Sequence, residues 1–178
     1  MFKLNHKTVL NLIFIFALPS AAYAEQYCTG GIERTNSFVQ FQDNGDGTVT
    51  DRATRLMWQK CADGQGADCS GEPTLFTWMN AFARATTLNN TAYAGYSDWR
   101  LPNAKELLSI AERSCVNPAI DLIAFPNTGQ DASFWSSTTL TGYPQSIMRV
   151  NFLSGDSDPY SKTSSLPLRL VRELPPED

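Results

Sequence analysis

Between positions 98 and 108 the chain reads Asp-Trp-Arg-Leu-Pro-Asn-Ala-Lys-Glu-Leu-Leu, a run that leaves few choices of local structure. Pro102 disfavours helix for the residue before it and holds its own φ near the helical value. Asn103 then stands where a side-chain oxygen can accept from the first free N–H groups of a helix, and Glu106, three residues on, can reach back to it. Leu107, Leu108, Ile110 and Ala111 supply an apolar side, so the pattern predicts a helix over 104–113. Arg100, just ahead of the proline, is expected to pair with Asp98 or Glu106 rather than to clamp a ligand.

The rest of the chain supplies a second helix and several short strands. Trp78, Ala81, Phe82, Ala85 and Leu88 recur at helical spacing with Thr77 placed to cap, predicting a helix over 77–88. The segment 38–41 alternates like a strand, turns through Asn44-Gly45-Asp46-Gly47 and returns over 48–50. Leu56-Met57-Trp58 reads as another strand, as do 147–152 and 168–172. The stretch 117–134 reads as irregular, with Pro118, Pro126 and Gly129, and Ser136, Ser137 and Thr138 read as hydrogen-bonding turn residues. Helices followed by later strands, with no repeats, give an α+β class in one domain over 38–172, with a frayed tail at 173–178.

Four elements in this order resemble a known family. They are Asp43 through Asp51 running on to Leu56-Met57-Trp58, the Trp99-Arg100-Leu101-Pro102 helix start, Phe134-Trp135-Ser136-Ser137-Thr138, and the closing Leu168-Arg169-Leu170-Val171-Arg172. Together they resemble the C-terminal domain of the Legionella collagen-like protein, an adhesin, from about Phe38 to Arg172. The resemblance implies a variant of the C-type-lectin-like fold, with two helices packed on small antiparallel sheets and long irregular loops. The helix start and closing strand also resemble the formylglycine-generating enzymes on that fold. Those enzymes use a redox-active cysteine pair late in the chain, and no cysteine follows Cys115, so that oxidase chemistry is not expected. The best-studied family member adheres to sulfated polysaccharides, which implies a surface-glycan ligand.

The N-terminus points to a compartment. Lys3 and Lys7 precede an apolar run over 9–18, and Ala22-Tyr23-Ala24 is a small-x-small cleavage signal, so 1–24 is expected to leave as a signal peptide. The run falls short of the roughly 20 residues that span a bilayer. The remaining chain is expected to be periplasmic or secreted from a bacterium, without membrane insertion. Cleavage would remove two lysines and no acid from the 178 residues, moving the formal charge from −4 to −6. That balance argues against nucleic acid as a partner. Sulfated glycans would need a basic patch built locally from Arg84, Arg100, Arg113, Arg149, Arg169 and Arg172. The only histidine, His6, would leave with the leader, taking with it every histidine-based nucleophile, base and metal site. Carboxylate pairs stay open as catalysts.

Four cysteines in an oxidising compartment predict two disulfides. Three connectivities are open. Cys61 and Cys69 flank a polar loop suited to a local bridge, which would leave Cys28 to tie the N-terminal segment 25–37 to Cys115. Zinc would ask for Cys-x-x-Cys spacing, which is missing. Asn44, Asp46 and Thr48 make a calcium candidate, but an EF-hand register would put Gln42 and Ala53 at the first and last ligand positions. A tight hairpin accounts for the same residues, and no cofactor is expected. Trp58, Trp78, Trp99 and Trp135 are expected to be core in at least three cases, since helical and strand spacing already accounts for them.

The function expected is a non-catalytic binding module, an adhesin taking a surface glycan or an envelope protein. The alternatives are a carboxylate-based enzyme and a structural subunit of an envelope assembly. The ligand surface is expected on the irregular segment 154–166, beside 141–145, where Asp156, Asp158, Tyr160 and Lys162 offer two acceptors, a stacking ring and a cation. Peptide mapping without reduction should join Cys61 to Cys69. Free thiols at those positions would overturn the pairing.

Overall fold

The structure is a computed structural model that describes residues 26–37, 39–129 and 132–176. The expected leader 1–24, Phe38 and the last two residues of the tail lie outside the described residues. In chain order the elements are β1 (Tyr27–Cys28), β2 (Phe41–Asp43), β3 (Thr48–Asp51), β4 (Leu56–Gln59), α1 (Trp78–Asn90), α2 (Ala104–Ser109), β5 (Cys115–Val116), β6 (Ser133–Thr139), β7 (Ser146–Asn151), β8 (Asp156–Ser161) and β9 (Val171–Glu173). A 3-10 turn, Tyr93–Gly95, follows α1. Among the described residues the strands form antiparallel sheets ordered β2-β3-β4-β9 and β6-β7-β8, with a ribbon β1-β5. The class is α+β, as expected.

Side-chain alternation explains how so short a set of strands holds two helices. Successive strand residues point to opposite faces. Leu56 and Trp58 enter one apolar cluster with Leu107 and Ile110 of the α2 end, while Met57 enters another with Ala81, Ala85 and Leu88 of α1. The same split runs through β6, where Phe134 joins the first cluster and Trp135 the second. The strands are thus wedged between two cores, one under each helix, which is why Leu56-Met57-Trp58 and Phe134-Trp135 are apolar without interruption. Trp58, Trp99 and Trp135 are buried, each at 2% exposure or less. Trp99 Nε1 donates to the Tyr93 carbonyl at 3.0 Å, so its one polar atom is satisfied inside.

Both helix starts follow the sequence. Thr77 accepts from Asn80 N, and Asn103 and Glu106 form a reciprocal capping box, with Glu106 Oε2 accepting from Asn103 N at 2.7 Å. Arg100 holds Glu106 through both nitrogens at 2.8 and 2.9 Å, while Asp98 is taken by Arg172 instead.

The second helix ends early. The pattern predicted 104–113, but the helix stops at Ser109 because groups beyond it are claimed elsewhere. Asn36 Nδ2 donates to the Ala111 carbonyl, Glu112 N donates to the Ala119 carbonyl, and Ala111 bridges to Ile120. The Glu112 carboxylate is fully buried and accepts from Thr35 N, Asn36 N, Ser114 N and Ser114 Oγ at 2.7–3.2 Å.

Other boundaries also shift. β2 begins at Phe41, and the stretch expected to be irregular to 134 gives way to β6 at Ser133. Ser136, Ser137 and Thr138 are therefore strand residues, not a turn; Ser136 Oγ donates to the Met148 carbonyl across to β7. The closing strand is regular only from Val171, because Leu170 N donates to the side chain of Gln59 in place of the ladder. The expected tail at 173–178 is shorter too. Glu173 ends β9 and Leu174 N donates to the Arg55 carbonyl. Both expected disulfides are formed, Cys28–Cys115 and Cys61–Cys69.

Burial works against the charge of Glu112, yet the hydrogen bonds from Ser114, Thr35 and Asn36 outweigh it and hold the pKa down to about 2, from 4.5. A depressed carboxyl stabilises the fold fully above pH 4.5, and that stabilisation drains away as pH falls towards 2. Its size is on the order of 3 kcal/mol. Urea unfolding of Glu112→Gln should show lower stability at pH 7 and a smaller further loss between pH 4.5 and 2 than the parent shows. Parallel curves would place the acid sensitivity elsewhere.

Candidate functional site

A cleft lies where the β2–β3 hairpin, the disulfide loop and the first helix meet. It has a volume of about 420 Å³ and is lined by Asp46, Gln59, Asp63, Gly64, Arg84 and Tyr93, among others. Each wall has a local cause. The disulfide Cys61–Cys69 closes an eight-residue separation into a loop whose turns need glycine. Gly64 has φ +97°, and a Cβ there would fall 2.2 Å from Thr74 Oγ1. Gln65 braces the loop from inside, accepting from Ala62 N and donating to the Asn127 carbonyl.

Three side chains set the chemistry of the cleft. Arg84 Nε on α1 lies 3.0 Å from each oxygen of Asp63, a buried carboxylate. Tyr93 donates its hydroxyl to the Gly47 carbonyl at 3.2 Å. Burial, joined by the charges of Asp46 and Asp63, raises the pKa of that phenol, so it stays a neutral donor. Gln59 is 4% exposed and is the least obvious member. Its Oε1 accepts from Leu170 N at 2.7 Å, which leaves its amide NH₂ without a hydrogen-bond partner among the described residues, at the cleft wall. Chemically the site pairs neutral donors with carboxylate acceptors beside an aromatic ring.

A sequence profile of the Lcl C-terminal domain matches residues 47–172, from the hairpin turn through β9. The chain belongs to the Lcl C-terminal domain family. No curated protein matches the chain in sequence. The match takes in both helices, the short disulfide and every cleft residue except Asp46.

In this Lcl domain the expected ligand residues occupy a strand rather than an irregular loop. Asp156, Asp158 and Tyr160 lie on β8, paired with Asn151, Arg149 and Ile147 of β7. Asp-Ser-Asp-Pro-Tyr-Ser has the composition of a loop, so propensity misread it. The hairpin turn at Gly155 and the edge position, which tolerates Pro159, make it a strand. The side chains engage each other. Arg149 Nε holds Asp158 at 3.0 Å and its guanidinium lies 3.9 Å over the Tyr160 ring, which tilts against Trp135. Lys162 Nζ sits 4.7 Å over Trp78, and Asp156 alone of the four is exposed.

The calcium candidates are tied up in their own turn. Asn44 Nδ2 donates to Thr48 Oγ1 and Thr50 Oγ1, while Asp46 Oδ1 accepts from Thr48 N and Oγ1. The six arginines do not build one basic surface. Arg84, Arg100, Arg149 and Arg172 each face an acid, and Arg113 is exposed. Arg169 is fully buried, and burial lowers its pKa to about 9. It stacks between Phe125 and Phe134, and Nη2 donates to Thr128 Oγ1 at 3.1 Å.

Sequence reasoning named Asp46 and Arg84 but missed Gln59, Asp63 and Tyr93 as a group. The available signal was Asp63 inside the cysteine-bounded loop. Tyr160→Ala should lower stability by about 2 kcal/mol in urea unfolding, because its ring packs between Arg149 and Trp135, while Asp156→Ala should stay within about 0.5 kcal/mol. A Tyr160→Ala variant as stable as the parent would return that ring to the solvent side as a ligand platform.

Proposed function

We propose that this protein is an extracytoplasmic, non-catalytic binding module, and that the cleft between the hairpin, the disulfide loop and α1 holds part of a surface glycan. The observation that carries this reading is Gln59. Its oxygen is held by Leu170 N while its NH₂ stays open at the cleft wall, where a sugar hydroxyl would take the place of water. Asp46 and the Tyr93 ring add an acceptor and a stacking edge, the mixture that polyhydroxylated ligands use. Family membership agrees with the reading, since the resemblance noted above carries an adhesive role.

The acids support a binding role over a catalytic one. Asp63 is held by Arg84 and Asp46 by Thr48, so each carboxylate is already engaged as an acceptor by a neighbouring side chain. Two disulfides favour the periplasm or the exterior. The helices on small antiparallel sheets, with the N-terminal segment tied to the body by Cys28–Cys115, favour a C-type-lectin-like architecture. We read calcium as unnecessary, because Asn44, Asp46 Oδ1 and Thr48 already bond one another within the hairpin. Nucleic acid is an unfavourable partner for so acidic a chain.

A glycan array probed with the purified protein, with and without chelator, tests this. Retention on a defined set of glycans, unchanged by chelator, is expected. Retention on none would overturn the reading, and release of reducing ends from a bound glycan would overturn its non-catalytic part.

A further inference from the structure

We infer that the cleft selects an uncharged sugar residue, one bearing hydroxyl or acetamido groups, and rejects sulfated and uronate residues; this rests on the glycan-binding reading above. Three observations carry it.

The first is the charge the cleft presents. Asp46 and Asp63 bring two carboxylates, and the cationic side chain among the lining residues is Arg84, whose Nε lies 3.0 Å from both oxygens of Asp63. The pair cancels locally, leaving Asp46 as the net charge. A sulfate entering would meet a negative wall and would have to shed its water to do so. The raised phenol of Tyr93 reports the same field at the cleft floor, with burial as its main cause and the two carboxylates adding to it.

The second is the form of the unmet hydrogen bonds. With Oε1 fixed by Leu170 N, Gln59 can turn only its NH₂ to a ligand. That group suits a hydroxyl or an amide carbonyl, which an uncharged sugar supplies without bringing a second charge into the cleft. In the same cleft Asp46 uses Oδ1 for Thr48 and keeps Oδ2 for a ligand hydroxyl. A donor and an acceptor lining one cleft match a ring carrying hydroxyls, each able to give and to accept.

The third is space and rigidity. A cleft of about 420 Å³ is within the range of small-ligand sites. Gly64 cannot carry a side chain, so backbone rather than a movable group shapes that wall. The neighbouring disulfide keeps the wall in place before a ligand arrives.

Side-chain amide NMR of the labelled protein gives the test, with N-acetylglucosamine and galactose as uncharged probes, N-acetylglucosamine 6-sulfate and heparin as sulfated ones, and glucosamine as the cationic one. An uncharged probe should shift the Gln59 amide pair, and the sulfated probes should not. Gln59→Glu keeps the oxygen that Leu170 N needs but replaces the donor with a charge, and should weaken the uncharged probe about tenfold. Asp46→Asn keeps a side-chain oxygen for Thr48 N while removing the charge, and should let the 6-sulfate probe in. Gln59 shifts caused by heparin, or best caused by glucosamine, would overturn the inference. Array binding with no Gln59 shift from any probe would also overturn it while leaving the glycan reading intact. A blank array, by contrast, would remove the reading itself.

Discussion

The buried carboxylate of Glu112 is the point on which the rest of this structure is assembled. It accepts four hydrogen bonds from Thr35, Asn36 and Ser114, and Arg34 adds an ion pair at 3.5 Å. An ionised group with no exposure is tolerable only when its lone pairs are met this completely. Meeting them requires the N-terminal segment to fold back onto the end of α2, which places Cys28 opposite Cys115 in the β1–β5 ribbon. The same arrangement stops α2 at Ser109 and turns the chain towards Ile120. One carboxylate thereby fixes the length of a helix, the path of the N-terminus and the setting of the long disulfide.

A second constraint is how the charges are distributed. Arg100 with Glu106, Arg172 with Asp98, Arg149 with Asp158 and Arg84 with Asp63 are each matched to a particular acid. Exposed pairs of this kind add little stability one by one. Their larger effect is on the surface field, because each arginine is neutralised where it stands. These four arginines therefore do not merge into one basic face.

Much of the local structure was legible in the sequence because it is set by neighbours along the chain. The Asn103–Glu106 box, the Thr77 cap, the hairpin at 44–47 and the short disulfide all depend on residues within eight positions of each other. The buried tryptophans were legible too, from apolar spacing. What escaped was set by partners far away. Glu112 looks like one more polar residue late in a helix until Asn36 arrives from the other end of the chain. β8 escaped for a different reason: its partner β7 is the preceding strand, but its composition is that of a loop. Closing-strand residues 168–170 look regular until Gln59 diverts Leu170 N. The cleft failed to show for the same reason: Gln59, Asp63, Arg84 and Tyr93 come from a strand end, a disulfide loop, a helix and a 3-10 turn.

That diversion at Leu170 connects the fold to the cleft. A regular ladder would have paired Leu170 N with a backbone carbonyl and left Gln59 free to turn to solvent. Instead the side chain replaces one rung, which holds its oxygen inside and presents its amide nitrogen at the cleft wall. Asp63 N, donating to the Leu168 carbonyl two residues earlier, anchors the disulfide loop to the same closing segment. The segment 168–170 thus fixes two of the cleft's polar residues at once, one through its N–H and one through its carbonyl. Leu168 and Leu170 are fully buried in the core under α1, so these anchors rest on packed apolar side chains rather than on the mobility of a surface loop. A donor held this way loses little freedom when it meets a ligand, and that is the condition under which a single uncharged hydrogen bond contributes measurably to affinity.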